Sequence, residues 1–254
     1  MARSIVVANQ KGGVGKTTTV VNLGAALSRM GKRVLLIDLD PQAALTATFG
    51  LDPYNLPRSI YSILVHDDVP LTQIMRPAGD TTMAIAPASV DLAAAELRMI
   101  NEPNRAYRLR DAIRSSKVSF DFILIDTPPS LGLLTLNGLV AANEVFVPVQ
   151  CHYLAMRGVR ALMETIWRVK RKLNPDLRLL GLLPTMYNTG SQHASEVVEE
   201  LRSVFTYKVL DVVINHHVEF AEAPVAKQSL IDYAPDHEGA RAYRRLAEVI
   251  INNV

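Results

Sequence analysis

The segment with the most chemical content runs from Ile5 to Thr19, where an apolar stretch passes into a glycine-rich loop followed by Lys16 and Thr17. Glycines allow successive backbone N–H groups to turn toward phosphate oxygens, and the N-terminus of a following helix adds its positive dipole end. At this spacing Lys16 reaches the β- and γ-phosphates of a nucleotide, and the Thr17 hydroxyl binds Mg²⁺. The residues expected to hold the nucleotide here are Lys11, Gly12, Gly13, Val14, Gly15, Lys16, Thr17 and Thr18.

The loop departs from the strict phosphate-loop pattern at one position. The pattern G-x-x-x-x-G-K-[ST] is not met, because Gln10 stands where the first glycine belongs. The sequence instead reads K-G-G-x-G-K-[ST] and carries a second lysine, Lys11, at the loop's entrance. Because a strand-like run precedes the loop and a helical pattern follows it, we expect a phosphate-binding loop and not an incidental glycine-rich turn.

Three aspartates stand at the ends of two other apolar runs. Asp126 closes the run from Phe122, and a buried carboxylate there needs a cation, which makes Mg²⁺ the natural partner. Asp38 and Asp40 close the run from Val34, and we expect Asp38 to support the same magnesium ion. The alternative for Asp38 and Asp40 is an ordinary turn at the end of a strand.

Four motifs occur in the order typical of one known family. The K-G-G-x-G-K-[ST] loop resembles the deviant Walker A loop of the ParA/MinD class of P-loop ATPases. Val34–Gln42 resembles the family's switch I strand and turn, and Phe122–Pro129 resembles its Walker B strand and switch II. Glu222–Pro224, followed by a helical stretch with Tyr243–Ala247, resembles the ParA/Soj branch, so the resemblance covers essentially the whole chain.

The resemblance implies an ATPase that uses ATP and Mg²⁺ and releases ADP and phosphate. It implies that Asp40 positions or polarises the attacking water. It also implies that Lys11 reaches across a dimer interface to the other subunit's ATP and neutralises charge much as an arginine finger does. The expected catalytic residues are therefore Lys11, Lys16 and Asp40, and the expected metal-site residues are Thr17, Asp38 and Asp126.

The resemblance also points to two loops around the adenine base. The first follows a late strand and is matched by Asn188. The second is often Ile-Pro-x-Asn in relatives and reads Ile214-Asn215-His216-His217 here, so Asn215 and His217 are candidate adenine contacts. We expect His216 and His217 to be surface residues of this loop and not metal ligands, because the sequence places no other ligand-type residue nearby at a fixed spacing.

The formal net charge of +2 is nearly neutral, so the position of the basic residues matters more than their number. Within Met156–Leu173, five charged residues recur three or four positions apart and form one helical stripe, opposite an apolar face with Val159 and Ile166. An ordinary solvated face is the alternative to contacts with DNA phosphates. The candidate DNA-binding residues are Arg157, Arg160, Arg168 and Arg171 in the stripe, and Lys227, Arg241, Arg244 and Arg245 nearer the C-terminus.

The leading hypothesis is a switch that dimerises with ATP and binds double-stranded DNA nonspecifically on the nucleoid. Such a switch partitions or positions a chromosome, a plasmid or another cargo until a ParB-like or cargo-adaptor partner stimulates hydrolysis. The first predicted strand begins almost at residue 1, which leaves no room before it for a helix-turn-helix domain. We therefore expect no sequence-specific recognition of DNA.

Two other functions compete with this hypothesis. A MinD-type membrane-surface ATPase needs a basic amphipathic tail, and the sequence has no Lys or Arg beyond Arg245, so we expect no stable membrane association. The third is a metabolic P-loop enzyme that reduces or carboxylates small molecules. Its nitrogenase-iron-protein type is excluded, because it needs two cluster cysteines and Cys151 is the only one.

The whole sequence must supply elements that position these residues. Its 254 residues are 49% hydrophobic and contain no apolar run of the ~18–20 residues that a membrane span needs. The single cysteine favours a reducing cytoplasm. Short β-branched runs alternate with longer amphipathic stretches, and no linker divides residues 1–254. We therefore expect an α/β fold: one P-loop NTPase domain with a mostly parallel twisted sheet flanked by helices on both faces.

The periodicity predicts seven strands and seven helices. The strands are Ser4–Ala8, Val34–Asp38, Met83–Ala86, Phe122–Asp126, Glu144–Val149, Leu179–Met186 and Lys208–Val213. The helices are Gly15–Met30, Leu92–Ile100, Arg105–Ser115, Leu131–Ala142, Met156–Leu173, Ser191–Val204 and Glu238–Asn252. The segment Asp52–Gly79, with its four prolines, reads as an irregular surface excursion.

Overall fold

A computed structural model describes residues 2–66, 69–79, 82–152, 155–205 and 208–252, without the side chains of residues 155–157 and 193. Within these ranges the strands are β1 (Arg3–Val7), β2 (Val34–Asp38), β3 (Arg76–Pro77), β4 (Met83–Ala86), β5 (Phe122–Asp126), β6 (Glu144–Gln150) and β7 (Arg178–Thr185). They form one sheet in the order β3-β4-β2-β5-β1-β6-β7, in which only the β3–β4 pair is antiparallel. The mostly parallel α/β fold expected from the sequence is confirmed.

The helices between these strands lie on the two faces of the sheet. Their bounds are α1 (Lys16–Arg29), α2 (Ala44–Thr48), α3 (Ile60–Val65), α4 (Leu71–Ile74), α5 (Ala95–Met99), α6 (Arg108–Ser115), α7 (Leu133–Ala141), α8 (Ala155–Lys172), α9 (Gln192–Phe205), α10 (Glu219–Val225), α11 (Leu230–Tyr233) and α12 (Glu238–Asn252). A 3₁₀ turn at Val90–Ala94 precedes α5, so the predicted helix Leu92–Ile100 is divided between the two elements. None of the described helices is long and apolar enough to cross a bilayer.

Alternate residues of the strands enter two separate apolar clusters. In β1, Val6 belongs to the cluster that includes buried residues of α7 and α8, whereas Ile5 and Val7 belong to the cluster that includes buried residues of α1 and α12. Successive strand side chains point to opposite faces, and both faces here are covered. This double burial explains why the strands read as continuous apolar runs. It also places α8 and α12 on opposite sides of the sheet.

One predicted strand, Lys208–Val213, is wrong. The segment makes only an isolated bridge, between Val209 and Leu182 of β7. The N–H of Leu210 donates to the carbonyl of Leu182, and that of Ile214 donates to the carbonyl of Pro184. Between these two hydrogen bonds the segment contains four residue steps, whereas β7 contains two. The segment therefore bends away from the edge of the sheet and cannot keep the residue-by-residue register of a strand pair.

The segment Asp52–Gly79 is more ordered than the sequence suggests. It contains α3, α4 and β3, and five of its side chains are buried in the cluster on the α7–α8 face: Ile60, Ile63, Leu64, Leu71 and Ile74. A capping box starts α3, since the Ser59 hydroxyl accepts from the N–H of Tyr61 and the Ser62 hydroxyl accepts from the N–H of Ser59. The segment therefore covers the core and is not a surface excursion.

This packing is tested by replacing Ile60, which is fully buried, with alanine. Ile60→Ala should lower the free energy of unfolding by about 2–5 kcal/mol, because it removes buried methyl groups and leaves a cavity. Tyr54→Ala is the control in the same segment: Tyr54 is 77% exposed, and its loss should change stability by less than about 0.5 kcal/mol. Urea denaturation measures both. Equal effects would show that the segment does not cover the core.

Candidate functional site

The glycine-rich loop connects β1 to α1 and curves around an open space. Gly13 and Gly15 have φ angles of 71° and 84°, which are in the left-handed region that favours glycine. A Cβ atom placed on either glycine would have no atom within 4 Å. The two glycines are therefore required by the backbone conformation and not by crowding. The space beside them is available to a ligand such as a phosphate group.

Side chains from distant parts of the chain hold this loop in place. The Asn9 side chain donates to the Pro148 carbonyl at 2.7 Å and accepts from the N–H of Lys11 at 3.0 Å. The Thr185 hydroxyl donates to the Val14 carbonyl at 2.9 Å. These bonds tie the loop to the ends of β6 and β7. Bonds that hold the loop in one conformation lower the entropic cost of binding a phosphate.

The two lysines of the loop have different environments. Lys16 is 7% exposed, and its Nζ donates to the Lys11 carbonyl at 3.3 Å, within the loop. Burial lowers the pKa of Lys16, and the charges of Asp126 and Asp40 partly oppose this. The Lys11 side chain is exposed, and its Nζ donates to Oε1 of Gln150 at 2.7 Å. The Lys16 side chain therefore lies inside the loop of its own chain, whereas the Lys11 side chain lies on the outer rim of the loop.

Two buried carboxylates lie beside the loop. Asp38 and Asp126 are paired residues of β2 and β5, and both are fully buried. Burial raises the pKa of both carboxyl groups, and repulsion from Asp38 raises that of Asp126 further. The Thr17 hydroxyl donates to Oδ2 of Asp126 at 2.6 Å. Paired buried carboxylates next to a hydroxyl form an all-oxygen donor set that suits Mg²⁺, whose charge would offset the cost of burial.

A magnesium ion held by Thr17 and Asp126 would supply positive charge to the phosphates of a nucleotide in the loop. Asp38 has a second role that the structure shows directly. Its carboxylate accepts from the N–H of Asp40 at 3.1 Å, the N–H of Thr46 at 2.9 Å and the Thr46 hydroxyl at 2.7 Å. Asp38 therefore fixes the connection from β2 to α2, and its contribution to a magnesium site stays a prediction.

Asp40 lies at the centre of this connection. It is 8% exposed, and its Oδ1 accepts from the N–H of Gln42 at 2.9 Å. Its own carbonyl accepts from the N–H of Ala43, which has a φ of 52° in the left-handed region. The turn thus holds Asp40 close enough to Lys16 for their charges to interact. Its predicted catalytic role is compatible with this position and stays a prediction.

The structure brings the two predicted base-binding loops together. Tyr187 and Asn215 form an isolated parallel bridge, in which the N–H of Tyr187 donates to the Ile214 carbonyl and the N–H of His216 donates to the Tyr187 carbonyl. Asn188 follows directly, and its side chain accepts from the N–H of Gly190 at 3.0 Å. The two loops are therefore neighbours, as adenine binding requires.

The side chains of the second loop have other partners. Asn215 donates to Oε1 of Glu238 at 3.1 Å, and Nε2 of His217 contacts the same carboxylate. Both are therefore engaged by the first residue of α12. Adenine contacts by Asn188, Asn215 and His217 stay predictions.

A cavity of about 370 Å³ lies beside the predicted magnesium site, between α1, α2 and α10. Its lining includes Thr17, Thr18, Thr48, Phe220 and Pro224. The Glu222–Pro224 motif is thus part of a helix that faces the same cavity as the threonines of the loop. Thr18 itself accepts, through its carbonyl, from the Asn22 side chain at 2.8 Å.

The basic stripe lies on the outer face of α8. Arg160, Arg168 and Arg171 are exposed, whereas Val159 and Ile166 are buried as predicted. The side chain of Arg157 lies outside the described residues. Arg168 approaches Glu164 at 3.8 Å, and both side chains are 73% exposed, so this pair holds the arginine only weakly.

The C-terminal basic residues form a separate group on the other face. Lys227 is exposed, has a φ of 57° and packs its stem against Gly50. Two arginines of α12 bind backbone carbonyls just before that helix: Arg241 donates to Asp236 and Arg244 donates to Pro235. Arg245 is exposed. Because the two groups lie on opposite faces of the sheet, a single chain cannot present both to the same stretch of DNA. They are therefore alternative DNA-binding surfaces.

Several of the anchoring residues are not predicted by local sequence spacing. Thr185 is 171 positions from Val14, and Asn9 is 139 positions from Pro148. Thr46, which binds Asp38, carries no motif of its own. The only signal for these contacts in the sequence is that each residue is a short polar side chain beside a strand end or a turn.

Comparisons with known proteins agree with this geometry. Residues 2–179 match the family model described as "AAA domain". The chromosome-partitioning ATPase Soj of Thermus thermophilus is 44% identical over 252 residues, covering 99% of this chain and 96% of that protein. The chromosome partitioning protein ParA of Myxococcus xanthus is 41% identical over 251 residues, covering 99% and 88%.

A solved structure from Mycobacterium smegmatis has the same fold. It is described as cobyrinic acid a,c-diamide synthase with a bound ATP analogue and magnesium. It superposes with a TM-score of 0.86 at 41% identity and covers 99% of this chain and 95% of that one. The similarity therefore extends over nearly the full length of both chains.

The anchoring of Asp38 by Thr46 is tested by Thr46→Val, which keeps the branched shape but removes the hydroxyl. That hydroxyl donates to Asp38 and accepts from the N–H of Ala88 at 2.9 Å. The free energy of unfolding should fall by about 1–3 kcal/mol for each buried group that loses its hydrogen-bond partner.

The matched control is Thr48→Val. Thr48 is also buried in α2, but among the described residues its hydroxyl bonds to the Ala44 carbonyl alone, at 2.8 Å. Its loss should cost about 0.5–1.5 kcal/mol. Guanidinium denaturation compares the two variants. A Thr46 variant no less stable than the Thr48 variant would mean that Asp38 does not depend on this bond.

Proposed function

Since the chain belongs to the ParA/Soj family of P-loop ATPases, we propose that it acts as an ATP-dependent switch that positions DNA or another cargo. With ATP bound, two chains associate and bind double-stranded DNA without sequence preference, and hydrolysis releases them. One observation carries this proposal: Lys16 is buried inside the phosphate loop, while Lys11 extends along its outer rim.

Within one chain, the loop and its neighbours have the parts that ATP hydrolysis needs. Lys16 and the loop amides bind the phosphates, and Thr17 with Asp126 holds magnesium. Asp40 orients the attacking water from the turn after β2. Asn188 and the loop with Asn215 and His217 would contact the adenine base. The bound ATP analogue and magnesium of the Mycobacterium smegmatis structure support ATP and Mg²⁺ as the ligands.

The position of Lys11 supports dimer formation. Its ammonium group is exposed, and its side chain donates to the neutral amide of Gln150. An exposed bond to a neutral group stabilises a side chain only slightly, so it is easily exchanged for a stronger partner. The triphosphate of a second subunit is such a partner. ATP then serves both as substrate and as part of the interface.

The exposed arginines of α8 support DNA binding. Exposed guanidinium groups can neutralise the phosphates of a duplex, and phosphate contacts carry no base information. A dimer presents the stripe twice, so ATP strengthens DNA binding through avidity. We place the protein on the nucleoid in the cytoplasm and assign stimulation of hydrolysis to a ParB-like or cargo-adaptor protein. The names of the Thermus and Myxococcus relatives support a partitioning role.

Two other functions fit the structure less well. The apolar face of α12 is not available for a membrane-surface role, because Tyr243, Leu246 and Ile250 are buried against the sheet. The description of the Mycobacterium smegmatis structure points to amide synthesis. When ammonia for such a reaction comes from glutamine, a thiolate is the usual nucleophile. Burial raises the pKa of Cys151, the only cysteine, to about 11, which leaves it protonated at neutral pH.

The proposal predicts different defects for alanine variants of Lys11 and Lys16. Lys11→Ala should still bind ATP, because the Lys11 side chain points to the outer rim of its own loop, but it should lose ATP-dependent dimerisation. Its turnover should fall on the order of 10³-fold or more, as expected when a charge-neutralising finger is removed. Lys16→Ala should lose ATP binding itself. Calorimetry measures binding and light scattering measures the dimer. A Lys11→Ala chain that dimerises and hydrolyses like the wild type contradicts the proposal.

The DNA surface is tested on the double variant Arg160→Glu/Arg168→Glu. Its duplex binding with ATP should weaken equally for unrelated sequences. The log–log salt dependence should flatten by roughly 0.9 for each DNA phosphate that the variant no longer neutralises. ATP turnover reports that the variant is folded.

Arg245→Glu is the matched control, since Arg245 is an exposed arginine on the opposite face of the sheet. It should bind DNA like the wild type. If Arg245→Glu loses binding and the double variant does not, the DNA surface lies on the α12 side. If neither variant changes binding, DNA binding through these residues is refuted.

A further inference from the structure

Three side chains with metal-binding groups meet at the start of α12. His217 belongs to the loop that follows the bridge at Asn215, Glu219 is the first residue of α10, and His237 directly precedes α12. One donor atom from each residue lies within 4.8 Å of the other two. Among the described residues this is the one group of three His, Cys, Asp or Glu side chains that is so close together. It is separate from Thr17 and Asp126.

The geometry of the cluster suits one ion. The His217 and His237 rings have centroids 4.6 Å apart and lie at 89° to each other. Nε2 of His237 is 3.5 Å from Oε2 of Glu219. All three residues are half-buried, with side-chain exposures of 21%, 19% and 32%. Donors around a tetrahedral zinc ion lie roughly 3.3 Å apart at bond lengths of about 2.0–2.1 Å. Small side-chain rotations therefore close the site.

The charge around the cluster also favours a cation. Glu238 is a second carboxylate, and it contacts Nε2 of His217, an atom shielded from solvent. The Asn215 side chain donates to the same carboxylate at 3.1 Å. Glu219 and Glu238 together balance the charge of a divalent ion. The number of carboxylates therefore matches the charge to be bound.

We propose that His217, Glu219 and His237 bind a divalent transition metal, with zinc as the ion of choice. Two imidazoles and one carboxylate favour zinc over magnesium, because magnesium prefers oxygen ligands in an octahedron. Three protein ligands leave a fourth position for water or for Glu238. The bound ion joins three segments that are separate in sequence: the base-side loop, α10 and the start of α12.

Metal binding at Nε2 of His237 has a local consequence. Nδ1 of this ring accepts a hydrogen bond from the N–H of Gly239 at 3.1 Å. When Nε2 binds the metal, the single proton of the neutral ring moves from Nε2 to Nδ1 by exchange with solvent, without net proton release, and Nδ1 can no longer accept from the Gly239 amide. The amide signal of Gly239 therefore reports occupancy of the site.

This cluster differs from what the sequence suggests. The expectation of two plain surface histidines rests on the lack of ligand-type residues at fixed spacing near His216 and His217. The structure shows that Glu219 is close in sequence and that His237 is brought in from 20 positions further along the chain. His216, in contrast, is exposed and lies outside the cluster.

The test is zinc titration of the full chain after removal of metal by a chelator, without nucleotide and in excess magnesium so that the phosphate-loop site is occupied. Calorimetry and elemental analysis should give one zinc per chain, and zinc should raise the melting temperature. In a ¹⁵N-labelled sample the Gly239 amide signal should shift. His237→Ala and Glu219→Gln should each weaken zinc binding by at least about tenfold, since even indirect partners of a metal site contribute 10–100-fold.

His216→Ala is the matched control and should bind zinc like the wild type. Glu219→Gln keeps the size of the side chain, so it remains informative if His237→Ala does not fold. The proposal is overturned if the wild type binds no zinc under these conditions. It is also overturned if Glu219→Gln binds zinc as tightly as the wild type, or if His216→Ala loses as much affinity as His237→Ala.

Discussion

Two carboxylates, Asp38 and Asp126, lie side by side on neighbouring strands without access to solvent, and the cost of burying their charge determines the arrangement around them. Each needs donors or cations. Thr46 and the amide of Asp40 supply the donors for Asp38, which fixes the turn that carries Asp40. Thr17 supplies a donor for Asp126, and Lys16 lies close enough for its charge to act on Asp126. The first turn of α1 is thereby joined to β5, and the charge of Lys16 also interacts with Asp40 in the turn after β2.

The same site is also tied to the outer elements of the fold. The Thr19 hydroxyl donates to the Gly15 carbonyl and lies 3.1 Å from the hydroxyl of Tyr243, a fully buried residue of α12. The Asn22 side chain accepts from the N–H of Leu230 at the start of α11. The phosphate loop is therefore connected through packed side chains to the C-terminal helices. The cluster of His217, Glu219 and His237 lies beside the start of α12, the helix that carries Tyr243.

Much of the site can be predicted from the sequence because its chemistry is local. Gly15, Lys16 and Thr17 are consecutive, and Asp126 ends an apolar run, so the residues of the candidate site can be named from the sequence, while their roles stay predictions. The contacts that spacing cannot predict join residues from different segments of the chain: Thr185 with Val14, Thr46 with Asp38, and His237 with His217. Lys208–Val213 has the composition of a strand but not the register of one. Ile60 and its neighbours appear irregular in sequence because prolines interrupt their pattern, although the side chains pack into the core.

The most direct test of the account is subunit mixing between two inactive variants, Lys11→Ala and Asp40→Ala. If Lys11 acts on the partner's ATP, the Lys11→Ala chain keeps its own Asp40 and receives Lys11 from the Asp40→Ala chain, so each mixed dimer has one complete site. Because Lys11→Ala chains are not expected to pair with each other, complete sites form only in mixed dimers, and an equal mixture should regain ATP turnover that neither variant shows alone, up to roughly half of the wild-type level, since each mixed dimer has one working site of two. If Lys11 acts only within its own chain, no site is complete and turnover stays at the level of the separate variants, which would contradict the account.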